Sequence, residues 1–251
     1  MAVHRAAAVG FDVAADAYER GRPSFPADAV DLVVSLCPPE RPVVEVAAGT
    51  GKLTRLLVER GLAPVAVEPV AGMRRVLART TPGVAQVAGV AEALPIRDGA
   101  VGAVLASQAF HWFANATAVA ELRRVLEASG RLVLVWNVRD ETVPWVAELG
   151  RIHEPHRGDT PHYQSGAWRD ALAGGPFGPL QERHLAVVQR LTPDEVVDRI
   201  LSVSFIAVLA EPARAAVAAQ LRELLATHPD TRGRAELELP YRTDVFWVDA
   251  V

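Results

Sequence analysis

The stretch Val43-Val44-Glu45-Val46-Ala47-Ala48-Gly49-Thr50-Gly51-Lys52-Leu53-Thr54 constrains this chain more than any other. A valine-rich strand pattern carries one carboxylate, Glu45, and runs into a turn of small residues. A helical pattern follows at once. A strand, a tight glycine turn and a helix in that order open a ligand pocket at the carboxyl end of a parallel strand. Gly49 and Gly51 let the backbone approach a ligand with no Cβ in the way. Two common phosphate sites fail here. The dinucleotide pattern needs a third glycine where Thr54 stands, and the phosphate loop needs glycine at Val46 and a hydroxyl at Leu53. A pyrophosphate on the helix amides is also a poor neighbour for Glu45. A ligand arriving with positive charge suits that carboxylate.

The rest of the first half repeats this alternation. Strand patterns at residues 43–46, 64–67, 84–87, 101–105 and 132–136 are apolar on both faces, as buried parallel strands are. Helical patterns fall at 53–60, 73–78 and 116–126, with another at 27–36 ahead of the sheet. The order predicts an α/β fold with a doubly wound, mostly parallel sheet. In the second half, 143–152 reads as helix and 153–178 as loop with one short helix. Thr192-Pro193-Asp194-Glu195 carries a capping box, and Glu211-Pro212 opens a further helix through 225. Residues 185–188 and 245–248 are expected to add strands at the sheet edge. The chain of 251 residues, 50% hydrophobic, suffices for one large domain. We divide it into an N-terminal segment with its helix (1–36), a core around the glycine turn (37–137) and a less regular second half with the last strands (138–251).

Composition narrows the partners. A net charge of -4 with no basic block argues against nucleic acid. No window approaches the length of a membrane span, and the start has no apolar leader core. The single cysteine, Cys37, cannot form an internal disulfide, and the expected location is the cytoplasm.

Three further segments carry chemistry. Glu68 ends the second strand, in register with the glycine turn, and is placed to accept from a ribose diol. Pro69 follows it, and Met73 one turn on suits either an adenine face or the core. The loop holding Val90, Ala91 and Glu92 can border an adenine. Ser107-Gln108-Ala109-Phe110-His111-Trp112-Phe113 follows the fourth strand, at the crevice of an open sheet. There Ser107 and Gln108 face the cofactor side, and His111 is a candidate base or hydrogen-bond donor. Trp112, Trp136, Asn137, Arg139, Trp145 and Trp168 are candidates to line the substrate space, Arg139 by pairing with a carboxylate. His153, His156 and His162 are read as a solvated loop, and no metal site is expected.

Together these segments resemble the class I S-adenosylmethionine-dependent methyltransferases, most closely the small-molecule branch with the trans-aconitate-type carboxyl methyltransferases. The likeness spans residues 11–145, including Tyr18-Glu19-Arg20-Gly21-Arg22-Pro23 ahead of the sheet, Val67-Glu68-Pro69, Ala91-Glu92-Ala93-Leu94-Pro95 and Trp136-Asn137-Val138-Arg139-Asp140. S-adenosylmethionine carries an ammonium and a sulfonium, which suits Glu45. The resemblance implies a seven-stranded sheet with an antiparallel last strand, an N-terminal helical lid and a variable helical cover. It implies Glu45, Ala47, Gly49 and Gly51 near the methionine moiety, Glu68 near the ribose, and Val90, Ala91 and Glu92 near the adenine. It puts Tyr18 and Arg22 on the lid. Ala47 replaces the first glycine of the turn, which a negative φ accommodates. Val90 and Gly102 stand where the family carries acids, and Phe25 where tyrosine is common.

The implied reaction is in-line displacement at the sulfonium methyl by a small organic molecule, leaving S-adenosylhomocysteine. A carboxylate, phenol or enol oxygen is the expected acceptor. Two other classes fit parts of the pattern. A fold of this kind repurposed to guide a cyclisation or rearrangement would carry the same motifs. A nicotinamide-dependent oxidoreductase would use a similar sheet, against which Glu45 and Thr54 argue.

Overall fold

A computed structural model describes Ala15, Glu19 and residues 21–251. Tyr18 lies outside the described residues. Helix α1 (Ala27–Leu36) precedes β1 (Val43–Val46), and α2 (Lys52–Val58) follows the glycine turn. Then come β2 (Val65–Val67), α3 (Ala71–Thr80), β3 (Gln86–Val87), β4 (Val101–Ser107), α4 (Ala116–Val125) and β5 (Leu126–Arg139). The remainder builds α5 (Pro144–His153), β6 (Gln181–Leu191), α6 (Pro193–Leu201), α7 (Ser204–Ala207), α8 (Glu211–Thr227) and β7 (Leu237–Asp249).

The strands form one seven-stranded sheet in the order β3-β2-β1-β4-β5-β7-β6. Pairing is parallel from β3 to β5, and β7 runs antiparallel to both β5 and β6. The expected fold is therefore present. The two later strands add at one end of the sheet, as expected, with β7 beside β5 and β6 outermost.

Alternation along the strands separates the two core layers. Val43, Ala103, Leu105, Val133, Val135 and Val245 pack with α1 and α2. Val44, Val104, Ala106, Leu132, Leu134 and Phe246 face the opposite layer, with α4 and an aromatic cluster. A separate cluster joins α5, α6 and α8 to β7 and forms the cover. Thr192 caps α6, and both hydrogen bonds of the capping box with Glu195 form. The 153–178 segment holds three single 3-10 turns, Glu154–His156, Tyr163–Ser165 and Ala167–Arg169, instead of one short helix. Gly102 is a packing necessity: a Cβ there would lie 2.4 Å from Pro38 Cγ and 2.6 Å from Arg41 Cβ.

Candidate functional site

The carboxyl ends of β1 and β4 lie side by side, and the turn after β1 carries unusual backbone. Gly49 has φ 61° and Gly51 φ 82°, the left-handed region that glycine enters without a steric penalty. Ala47 has φ 54°, so the negative φ expected there is not what the chain adopts. The turn requires the left-handed conformation at that position whatever the side chain. Gln108, after β4, also has positive φ, at 56°. Its backbone amide bonds Val135 O at 2.7 Å and its side-chain amide donates to Asn137 O at 3.2 Å. That aims the β4 end across the top of the sheet.

The two carboxylates underpin this turn. Glu45 is fully buried, accepting from Thr54 Oγ1 at 2.6 Å and Ser107 Oγ at 2.8 Å. Burial, only partly offset by these hydroxyls, pushes its carboxyl up to about 7. Glu45 therefore stands beneath the turn, joining β1, α2 and β4, rather than open to the cavity. Glu68 accepts from the Gly49 amide at 2.9 Å and the Val70 amide at 2.8 Å. Burial shifts its carboxyl upward against these bonds. Each oxygen retains a second lone-pair direction, the capacity a diol would use. Arg74 donates to the carbonyls of Glu68 and Pro69 at 2.7 and 2.8 Å, which fixes the β2 end. Glu19 of the N-terminal segment reaches the turn, accepting from Thr50 Oγ1 at 2.5 Å and pairing with Lys52 and Arg55.

Two adjoining cavities open here. The smaller, about 450 Å³ with its mouth, is lined by Arg22, Phe25, Ala47, Gly49, Ser107 and Gln108 among others. A Cβ built on Gly49 meets nothing within 4 Å, so open space lies beside that backbone. The larger, about 780 Å³ with its mouth, has His111, Trp112, Trp136, Asn137 and Arg139 in its wall. Arg22, Gln108, Asn137 and Arg199 border both.

His111 accepts from Trp136 Nε1–H at 3.2 Å through Nδ1, so in the neutral ring Nε2 carries the proton. Burial, with His162, Arg157 and Arg22 nearby, pushes His111 down to about 3. In this arrangement it is a donor at neutral pH. Asn137 donates to Ser24 O at 3.1 Å and accepts from Thr243 Oγ1 at 2.6 Å. It ties the strand ends to the segment ahead of α1.

The remaining expected residues take these places in the fold. Met73 packs in a small core group with Ala15, Val70 and Val76, so the core alternative holds. Ala91 is buried, and Val90 makes a bridge with Ala93. Glu92 accepts from Asn115 Nδ2 at 3.1 Å, while Asn115 caps α4. Trp145 lies in the α5–α6–α8 cluster, not in the cavity wall, because the first turn of α5 points into the cover. Trp168 is 1% exposed behind Trp136, ring centroids 4.8 Å apart, and backs the wall rather than lining it. His153 is not solvated: it is 2% exposed at the end of α5. Sequence reasoning missed Tyr163, Arg199, Phe205 and Tyr241 in the larger cavity. Of these, Arg199 left a trace, an arginine on the apolar face of α6 between Val196, Val197 and Ile200.

The comparisons with known proteins agree with this geometry. Residues 44–134 match the family model for a methyltransferase domain. An uncharacterized methyltransferase of Mycobacterium tuberculosis is 41% identical over 236 residues, covering 94% of this chain and 93% of the relative. An uncharacterized methyltransferase-like protein of Schizosaccharomyces pombe is 36% identical over 232 residues, 91% of each chain. In fold, a candidate type II methyltransferase from Anaeromyxobacter dehalogenans superposes with a TM-score of 0.63 at 22% identity, covering 91% of this chain and 97% of its own. The oxidoreductase alternative falls with these relatives. The chain belongs to the class I S-adenosylmethionine-dependent methyltransferase family.

Proposed function

We propose that the protein methylates a small organic molecule at an oxygen, a carboxylate before a phenol or enol, with S-adenosylmethionine seated over the glycine turn. The observation that carries this reading is the meeting of the two cavities at Gln108 and Asn137, one against the turn and one walled by aromatic rings. Bound at the turn, the cofactor supplies a methyl group already activated on a sulfonium. Gly49 and Ala47 border its space, Glu68 offers acceptors toward the ribose, and Glu45 anchors the turn from beneath through Thr54 and Ser107. Such a reaction asks the protein chiefly for alignment and exclusion of water. Trp112 and Trp136 supply apolar wall, and Gln108, in its constrained backbone, sets the boundary between the two spaces.

The acceptor preference rests on what the larger cavity holds. Its described lining includes no aspartate or glutamate, and His111 is a donor. An acceptor that is ionised in water needs no base, and a carboxylate meets that condition. We assign the protein to the cytoplasm, consistent with a lone buried Cys37 whose thiol burial pushes up to about 12. Among the described residues no helix is long and apolar enough to cross a membrane.

The test is incubation of purified protein and labelled S-adenosylmethionine with fractionated small-molecule extracts, read by mass spectrometry. A product gaining one methyl group, lost again on mild ester hydrolysis, is expected. A cofactor-dependent product of unchanged mass and altered connectivity would establish the rearranging alternative instead. Methylation of RNA or protein alone would overturn the small-molecule reading.

A further inference from the structure

The larger cavity contains buried donors that no group of the described chain satisfies. Arg199, on the last turn of α6, is 3% exposed, yet its Nε and Nη1 have no hydrogen-bond partner. Arg139, at the end of β5, has an unpartnered Nε. Its Nη2 meets only His153 Nε2, at 2.8 Å. The Tyr241 hydroxyl is likewise buried without a partner, at 2% residue exposure. Tyr241 lies directly opposite Arg139 in the β5–β7 pairing, so the two side chains share one face of the sheet. All three residues line the same space.

Charge balance makes this more pointed. His153 cannot offset Arg139. Its Nδ1 lies 2.6 Å from Leu149 O, and burial together with Arg139 pushes the ring down to about 4, so it is neutral and accepts at Nε2. Arg157, also in the wall, is paired outward with Glu154. Neither Arg139 nor Arg199 has a carboxylate in salt-bridge range among the described residues. Burying a guanidinium without an anion is costly, and buried donors left unpaired are rare in folded proteins. A site that accepts this cost is built for an oxyanion, which the fork of an arginine grips through paired N–H groups.

We propose that Arg139, Arg199 and Tyr241 receive an acidic group, a carboxylate or phosphate, of the methyl acceptor, so that the substrate is an anion. His153 positions Arg139 by accepting from Nη2. This rests on the reading of the larger cavity as the acceptor site.

The test uses full-length protein and two probes, inorganic phosphate and succinate, at matched ionic strength. Calorimetric titration and melting curves are recorded with and without saturating S-adenosylhomocysteine. For the wild type, saturable binding of at least one probe and a raised melting temperature are expected, both retained with S-adenosylhomocysteine. Whichever probe binds tells a phosphate source from a carboxylate one. Arg199→Met should weaken probe binding at least tenfold and raise the melting temperature without anion, since it removes an uncompensated buried charge. Tyr241→Phe, which deletes only a hydroxyl, should weaken probe binding severalfold and decides the matter if the arginine variant does not fold. No probe binding beyond chloride controls, equal binding by both variants, or loss of probe binding under S-adenosylhomocysteine would overturn the proposal. A lowered melting temperature in Arg199→Met would do so too, as the mark of a structural arginine. Anion binding by a protein that fails to bind S-adenosylhomocysteine would sink the methyl-transfer reading and spare the anion site.

Discussion

Ala47→Gly is expected to stabilise the protein, although alanine-to-glycine changes usually do the reverse. At φ 54° the Ala47 Cβ crowds its own backbone. A left-handed L-residue costs about 1–2 kcal/mol. Glycine removes that cost but gives back about 0.4–1 kcal/mol through the greater freedom of the unfolded chain. The net gain is about 1 kcal/mol, and for a chain of this size that raises the melting temperature by about 2–4 °C. Scanning calorimetry, backed by urea unfolding, reads it directly. Gly51→Ala is the opposing control. Gly51 has φ 82°, and a Cβ there would stand 3.1 Å from Leu77 Cγ and 3.2 Å from Thr81 Oγ1. It should lose the conformational term and pay a steric one as well. An Ala47→Gly variant that melts at or below the wild type would refute the strain argument. Why the chain tolerates the strain follows from position: Ala47 borders the smaller cavity beside the glycine turn, where local strain is commonly held in place by surrounding structure.

Three other outcomes follow from buried polar groups. Glu45 has its folded-state carboxyl raised to about 7, so its contribution is full below its ordinary range and is lost as pH rises through 7. Glu45→Gln should therefore flatten the stability profile between pH 5 and 8, removing about 3 kcal/mol of pH dependence seen in urea midpoints. His153, pushed down to about 4, behaves in the opposite sense: its stability is present above about pH 6.5 and lost as pH falls. His153→Gln should recover about 2 kcal/mol of the acid loss at pH 5, measured as the difference from wild type. Asp244 is fully buried and accepts from Tyr163 Oη at 2.6 Å, His184 Nδ1 at 2.6 Å and Arg242 Nε at 2.6 Å. Asp244→Asn should cost about 2–3 kcal/mol in denaturant titration, and it should loosen Tyr163 in the cavity wall.

The core was legible where local signals and burial coincide. The bounds of α1 and β1 agree with the apolar runs that mark them, and Thr192 and Glu195 announce the start of α6. β7 was legible only at 245–248, because its first half, Leu237-Glu238-Leu239-Pro240-Tyr241-Arg242-Thr243-Asp244, is interrupted by a proline and three charged residues. Its place between β5 and β6 is a long-range pairing that no local pattern encodes. The same divide runs through the site. The glycine turn, Gln108 and His111 lie next to strand ends and are readable there. Arg199 and Tyr241 reach the cavity only through the packing of the cover, and Trp145 is diverted from it by the same packing. The φ of Ala47 is set by the turn geometry and not by the residue, so identity alone misled.

Calorimetric titration of the wild type and Glu68→Gln with S-adenosylhomocysteine tests the central claim most directly. The expected result is saturable one-to-one binding by the wild type, weakened at least about tenfold by the substitution, the worth of a hydrogen bond to a charged group. No saturable binding by a well-folded wild type would contradict a cofactor site at the glycine turn.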